Sequence, residues 1–114
     1  MEKEELYRKF RQTGQEAVRL QTALEGYFSE ECDDREREEY GAYLRRRIRP
    51  AAELLIRQGD TEKISCLENA GWFGAAQLDG FIRFAGEQKQ YGVLMWLMRL
   101  KREKFGFPDR DFSL

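Results

Sequence analysis

The residue types that most often carry chemistry are sparse in this sequence. It has no histidine among its 114 residues, so the usual general base, the usual metal ligand and every imidazole-based triad are missing. Its carboxylate pairs, such as Glu30/Glu31 and Glu38/Glu39, are sequence neighbours, and side chains at i and i+1 do not converge on one substrate. We therefore predict no catalytic residue, no cofactor and no metal site, and a protein that is not an enzyme.

The two cysteines, Cys32 and Cys66, are predicted to be reduced and unreactive. Cys32 lies in an acidic connection, where the neighbouring carboxylates disfavour the thiolate that a nucleophile requires. Cys66 falls on the apolar face of a predicted helix, where we expect it to be packed.

One local cluster of basic residues, Arg45-Arg46-Arg47-Ile48-Arg49, stands out from the balanced charge of the chain. Guanidinium groups suit phosphate and carboxylate alike. The candidate contacts to a nucleic acid or to an acidic protein partner are therefore Arg45, Arg46, Arg47 and Arg49. On a helix these positions spread around most of the circumference, and acids three or four residues away can pair with them. The pattern favours a solvated helix with many salt bridges, and partner contact is the alternative.

Three large aromatic residues, Trp72, Phe73 and Trp96, are the other candidates for partner contact. They lie near predicted helix ends or off the centre of an apolar stripe, so core packing is the favoured interpretation. Exposed together, they would form a contiguous apolar area of the kind that binds another protein.

Whole-chain composition favours one small helical domain over residues 1–114. Charged residues make up 36% and hydrophobic residues 41%, which is typical of helices with one buried and one solvated face. The formal net charge of -1 gives the whole molecule no attraction to nucleic acid or to an anionic membrane. No apolar segment has the length of a membrane span, and the N-terminus lacks a signal sequence, so we expect a cytoplasmic protein.

Apolar residues recur at helical spacing, and no strand pattern competes. Residues 1–29 are predicted to form one long helix, in which Gly14 marks either a close crossing by another helix or a bend. Within residues 35–58, Pro50 either separates two helices, which we favour, or kinks one helix. Asp33 or Asp34 is expected to cap the start of this segment.

Residues 61–105 complete an all-α fold of five to six helices. Its last helix, from Glu87 to about Phe105, is the most apolar, and we expect it in the middle of the fold. Its Leu94 to Met98 face fits either an internal core or the seam of a dimer. The tail, residues 106–114, carries two phenylalanines that are compatible with docking.

Two stretches of the C-terminal half, one beginning at Leu54 and the other at Phe81, run in parallel. Each reads as a helix end, a glycine, an acid and a new helix, and the pairs Gly59/Gly86 and Asp60/Glu87 mark the aligned turns. Such an echo is typical of stacked helical arrays. It predicts short antiparallel helical pairs in the C-terminal half, with the long N-terminal helix packed across them and the closest crossing at Gly14.

The segment from Leu54 to Gly71, LLIRQGDTEKISCLENAG, resembles the helix-turn-helix units of ankyrin-type and related α-solenoid repeats, and the likeness extends over about residues 50–105. The resemblance implies a binding scaffold whose specificity lies in its surface residues. No family-defining motif is present, so no functional residue is carried over.

These observations predict a non-enzymatic protein-protein interaction module. Nucleic-acid binding through the cluster from Arg45 to Arg49 is the alternative. A small enzyme would need a converging polar pocket, which these residues do not assemble. The identity of the partner and the oligomeric state are left open by the sequence.

Overall fold

The computed structural model describes residues 2–105, and within them the chain forms seven α-helices, one π-helical segment and no strand. The helices are α1 (Lys3–Gln12), α2 (Glu16–Tyr27), α3 (Asp34–Arg46), α4 (Ile48–Gln58), α5 (Thr61–Asn69), α6 (Ala75–Glu87) and α7 (Tyr91–Leu100), followed by the π-helical segment Lys101–Phe105. The all-α class is confirmed, whereas the expected number of five to six helices is too low. The tail at 106–114 lies outside the described residues, so its docking stays a prediction.

The chain divides into two compact units, Met1–Ala51 and Ala52–Leu114. The boundary falls inside α4, which begins in the first unit and continues in the second. A single domain over the whole chain stays a prediction from length and composition.

The expected long N-terminal helix is wrong, because the chain leaves helical geometry after Gln12. Thr13 and Gln15 both have extended backbone angles, with ψ values of 140° and 118°. A Cβ atom at Gly14 would meet nothing within 4 Å, so no helix crosses closely there. The low helix propensity of threonine and glycine favours a break at this point, and α1 and α2 then pack against each other.

The close helix crossing of the first unit lies at Gly26 instead. A Cβ atom at Gly26 would stand 2.3 Å from two ring carbons of Tyr40, so only glycine lets α2 and α3 approach this far. The Tyr40 ring also packs edge-on against Phe10, with ring centroids 4.9 Å apart. Phe10 makes a second edge contact with Tyr43 at 5.4 Å. These aromatic rings join α1 and α3 in the core of the unit.

Local hydrogen bonds explain where α3 begins. The Asp33 carboxylate accepts from the backbone N–H of Glu36 at 2.8 Å, and the Glu36 side chain accepts from the backbone N–H of Asp33 at 3.4 Å. This capping box satisfies two donors at the helix start. Lys3 of α1 forms ion pairs with both carboxylates, at 3.5 and 3.6 Å, so the cap also links α1 to α3.

At Pro50 the chain takes the two-helix alternative. α3 ends at Arg46 and α4 begins at Ile48, which places Pro50 third in α4. In the first turn of a helix the missing N–H of proline costs no internal hydrogen bond.

The turns of the second unit match in a different register from the one that the sequence pattern indicates, with Gly59 equivalent to Lys89 and not to Gly86. Gly59 and Lys89 both have left-handed backbone angles, with φ values of 72° and 57°. The next residues, Asp60 and Gln90, are N-caps with nearly equal φ values of -95° and -90°. The turn expected at Gly86 is therefore wrong, because α6 continues through Glu87.

The expectation that the last helix lies in the middle of the fold is also wrong. One face of α7 is buried, through Val93, Leu97 and Leu100, and packs on α6. Its opposite face includes Tyr91 and Met95, which are exposed. α7 therefore lies at the surface of its unit, with one of its two apolar faces covered.

Candidate partner-binding surface

An exposed apolar stripe runs along α7. Tyr91, Met95 and Met98 recur at i, i+4 and i+7, which places them on one face of the helix. Their exposed fractions are 60%, 64% and 38%. Phe105, at the end of the π-helical segment, is 43% exposed. Within residues 2–105 these four are the exposed large hydrophobic side chains, and we call Tyr91, Met95 and Met98 the α7 stripe.

The buried side of α7 holds the stripe in place. Val93, Leu97 and Leu100 also recur at i, i+4 and i+7, and they are 2%, 0% and 9% exposed. Since the two sets fall on opposite sides of the helix at its period of 3.6 residues per turn, burial of one set turns the other outward. A helix that is apolar on both sides lies either in a core or against a partner.

Two ion pairs anchor the π-helical segment that follows α7. The Lys101 ammonium donates to Asp79 of α6 at 2.7 Å. The Lys104 ammonium donates to both carboxylate oxygens of Glu68 of α5, at 3.0 and 3.1 Å. The Glu68 side chain is only 9% exposed, so this second pair is the better shielded from solvent. The π-helical segment after the stripe is therefore attached to two other helices of the same unit.

The region around the stripe is rich in positive charge. Residues 88–105 contain five basic side chains, Lys89, Arg99, Lys101, Arg102 and Lys104, and one acidic side chain, Glu103. The formal charge of this stretch is therefore +4, in a chain whose total is -1. Because Lys101 and Lys104 are paired with Asp79 and Glu68, the stretch and these two partners together carry a formal charge of +2, which disfavours cationic partners.

The predicted arginine cluster is divided by the structure. Arg45 and Arg46, in the last turn of α3, are exposed, and so is Arg49 in α4. Arg47, between the two helices, lies over the Tyr43 ring at 4.5 Å from its centroid and pairs with Glu16 of α2. Arg47 therefore takes part in the packing of its own unit.

The contacts around Arg47 also set the protonation of its neighbours. The Tyr43 hydroxyl donates a hydrogen bond to Glu16 at 2.6 Å. This bond and the pairing with Arg47 hold the pKa of Glu16 below its usual value. Burial, together with the bond to Glu16, raises the pKa of Tyr43 to about 12. The tyrosine is thus a neutral donor and the glutamate an ionised acceptor across the neutral pH range.

The three aromatic candidates do not form an exposed patch. Phe73 is 5% exposed and packs edge-on against Phe81, with ring centroids 5.1 Å apart. Trp72 and Trp96 are half-buried. The packing of its ring against α6 buries Phe73, as the favoured core-packing interpretation expects, so Phe73 offers no exposed surface to a partner.

The environment of one cysteine, Cys66, differs from the expected one. Cys66 is exposed, so the expectation that it is packed is wrong: the buried side of α5 is formed by Ile64 and Leu67. Cys32 is half-buried, and burial is the main cause that raises the pKa of its thiol. Glu36 and Asp33 add to this shift and Arg37 opposes it.

The sequence shows that α7 is apolar, but it does not show which apolar residues are exposed. Both faces of α7 are apolar, and periodicity alone does not tell which of them meets the rest of the chain.

In the described part of the chain, no helix combines the length and the apolar character that crossing a membrane requires. The same residues contain no group of three or more cysteine or carboxylate side chains placed to hold a metal ion.

A scan of protein-family models, a search of curated proteins and a search of solved structures each find no match to this chain. The resemblance to α-solenoid repeats therefore stays a prediction from sequence.

Proposed function

We propose that this chain is a non-enzymatic protein-interaction module that binds an amphipathic helix of another protein through the α7 stripe. The observation that supports this proposal is the stripe itself, because the exposed large hydrophobic side chains within residues 2–105 all lie in α7 and the π-helical segment after it. An apolar stripe at helical spacing is the complement of the apolar face of a second helix. Two of its three residues are methionines, whose flexible thioethers adapt to the shape of a bound side chain.

The rim charges favour a partner helix with acidic flanks. The formal charge of +2 that remains after Lys101 and Lys104 pair with Asp79 and Glu68 attracts carboxylates and opposes the approach of a second copy of the same surface. A cytoplasmic partner fits the reduced thiols that we predict. Since the rim charges are solvent-accessible, their contribution falls with added salt, whereas the apolar contribution persists.

The experiment is affinity capture from the native source with three forms of the full chain. Met95→Asp places a charge in the middle of the stripe, at a side chain that is 64% exposed, so the fold should be retained. Ala76→Asp is the matched control, because Ala76 is exposed in the first turn of α6 and is not part of the α7 stripe. Circular dichroism of all three proteins checks that their helix content is equal.

We expect the wild type and Ala76→Asp to retain the same partner and Met95→Asp to lose it. A synthetic peptide from the captured protein should then bind as a helix, and more weakly at higher salt. Retention of the partner by Met95→Asp would refute the stripe as the binding surface. Sedimentation that shows a wild-type dimer, converted to a monomer by Met95→Asp, would assign the stripe to a second copy and refute the acidic helix.

Nucleic-acid binding is the second candidate function. Its support is the exposure of Arg45 and Arg46, next to each other at the end of α3. Guanidinium groups that reach phosphates bind in a strongly salt-dependent manner. A salt titration with duplex and single-stranded DNA and RNA tests it, and no affinity at low salt would exclude this function.

A further inference from the structure

A groove of about 350 Å³ lies in the first unit, between side chains of α1, α2 and α3. Three arginines, one from each helix, line it: Arg11, Arg19 and Arg46. Because they belong to three different helices, tertiary structure alone brings them to one groove. Its lining also includes the buried Tyr43 and the exposed Ala42. The volume is within the range of small-molecule sites, about 300 to 1,000 Å³.

The groove carries an excess of positive charge. Its lining includes one carboxylate, Glu39, against the three guanidinium groups, which gives a net formal charge of +2. Glu39 is already engaged on both oxygens, since it accepts from the Tyr7 hydroxyl and from Arg11 at 3.3 Å. Arg11 also donates to the Tyr7 hydroxyl at 3.0 Å. Arg11 therefore already has two hydrogen-bond partners, and it contributes mainly positive charge to the groove.

Arg19 has a donor without an acceptor. One end of its guanidinium donates to the backbone carbonyl of Thr13. Its Nε atom is buried and has no hydrogen-bond partner among the described residues. A buried donor without a partner is unfavourable, but this atom is shielded from solvent, so Arg19 contributes to the groove through its charge. Arg46, at the rim, is exposed and reaches the groove from α3.

We infer that this groove binds a small phosphate monoester. Planar guanidinium groups bind phosphate oxygens in bidentate geometry, and a dianionic phosphate matches the net charge of the groove. Arg46 binds the phosphate oxygens from α3, and Arg19 adds positive charge from α2. The apolar part of the lining, which includes the exposed Ala42, receives the organic part of the ligand. This binding is independent of the α7 stripe and includes no chemical step.

The adjacent arginines Arg45 and Arg46 provide a matched pair for the test. Both are exposed at the end of α3, but only Arg46 lines the groove. Arg46→Gln removes a groove charge, and Arg45→Gln removes the same charge outside the groove. Arg19→Gln is a third variant, whose fold is checked by circular dichroism because its guanidinium also bonds the Thr13 carbonyl.

The measurement is calorimetric titration of the full chain with phenyl phosphate, inorganic phosphate and phenol at low salt. We expect saturable binding of phenyl phosphate, weaker binding of inorganic phosphate and no binding of phenol. Arg46→Gln should weaken binding about tenfold or more, as loss of a charged hydrogen bond does, while Arg45→Gln stays within about twofold of the wild type.

Two results would overturn the inference. One is the lack of saturable binding of phenyl phosphate to the wild type. The other is an equal loss in Arg45→Gln and Arg46→Gln, which would show attraction to general surface charge. If single-stranded DNA bound with that same equal loss, the cluster would belong to a nucleic-acid surface instead of the groove.

Discussion

Gly26 is the position at which the packing of the first unit is most sensitive to one added carbon. A Cβ atom there would lie 2.3 Å from two carbons of the Tyr40 ring, well inside the about 3.5 Å at which carbon atoms make favourable contact. The ring would have to move by more than about 1 Å to restore that separation, and it is only 2% exposed and held against Phe10. Overpacking of this kind costs about 1–3 kcal/mol.

A second effect of Gly26→Ala has the opposite sign, because alanine in a helix interior is favoured over glycine by about 1 kcal/mol. The net destabilisation expected for Gly26→Ala is therefore about 0–2 kcal/mol. Gly80→Ala isolates the propensity effect, because Gly80 is exposed inside α6 and an added Cβ would meet nothing within 4 Å. We expect that variant to stabilise the protein by about 1 kcal/mol, so the two variants should differ by about 1–3 kcal/mol.

The assay is urea unfolding followed by circular dichroism, with linear extrapolation of the free energy of unfolding to water. A third measurement places Gly26→Ala in a Tyr40→Leu background, where the clashing ring is absent. There the added methyl group should be neutral or stabilising, and the two substitutions should show strong coupling. Equal stabilisation by Gly26→Ala and Gly80→Ala would refute the close crossing. A cost of Gly26→Ala that persists without the Tyr40 ring would show that another contact is responsible.

Three further predictions concern the turn, the cap and the thiols. Lys89→Gly should stabilise the protein by about 1 kcal/mol in urea unfolding, because Lys89 has a φ of 57° that costs non-glycine residues about that much; destabilisation would contradict the match of the Lys89 turn with the Gly59 turn. The pKa of Asp33 is lowered chiefly by the backbone N–H of Glu36. The Asp33 carboxylate therefore stabilises the folded protein fully above the ordinary aspartate pKa of about 4, and this stabilisation is lost as the pH falls through the lower pKa of the folded state. Asp33→Asn should therefore lose less stability than the wild type between about pH 5 and pH 2 in thermal unfolding, and parallel profiles would disprove the cap. Finally, Cys66 should react with iodoacetamide faster than Cys32, because it is exposed whereas Cys32 is half-buried with a raised pKa; mass spectrometry of the alkylated peptides measures both rates, and faster labelling of Cys32 would contradict these environments.

Local features of the fold could be predicted because they depend on residues close in sequence. The helix caps at Asp33 and Asp60 follow from carboxylates that accept backbone N–H groups three residues ahead. Gly59 and Gly71 adopt the left-handed angles expected where helices end. The same rule gives the wrong turn position for Gly86. The left-handed residue after α6 is Lys89, although glycine is the residue type that favours this backbone conformation.

The candidate surfaces depend on contacts between distant residues. The sequence indicates an apolar α7 but does not tell whether the face of Val93 or the face of Met95 is buried. Arg46 and Arg47 are adjacent and chemically equal, yet one lines a groove while the other pairs with Glu16. Their different roles arise from the position of α2 beside α3.

The sequence by itself determined the all-α class, the cap that begins α5 and the scarcity of catalytic residue types, and it narrowed the cap of α3 to Asp33 or Asp34. Each of these follows from composition, from helical periodicity or from hydrogen bonds within one turn. Only the tertiary structure decided that the close crossing lies at Gly26, that Cys66 faces solvent and that the α7 stripe is exposed. The physical reason is that a side chain's burial is set by the helices packed against it, and that arrangement depends on contacts that the local sequence does not contain.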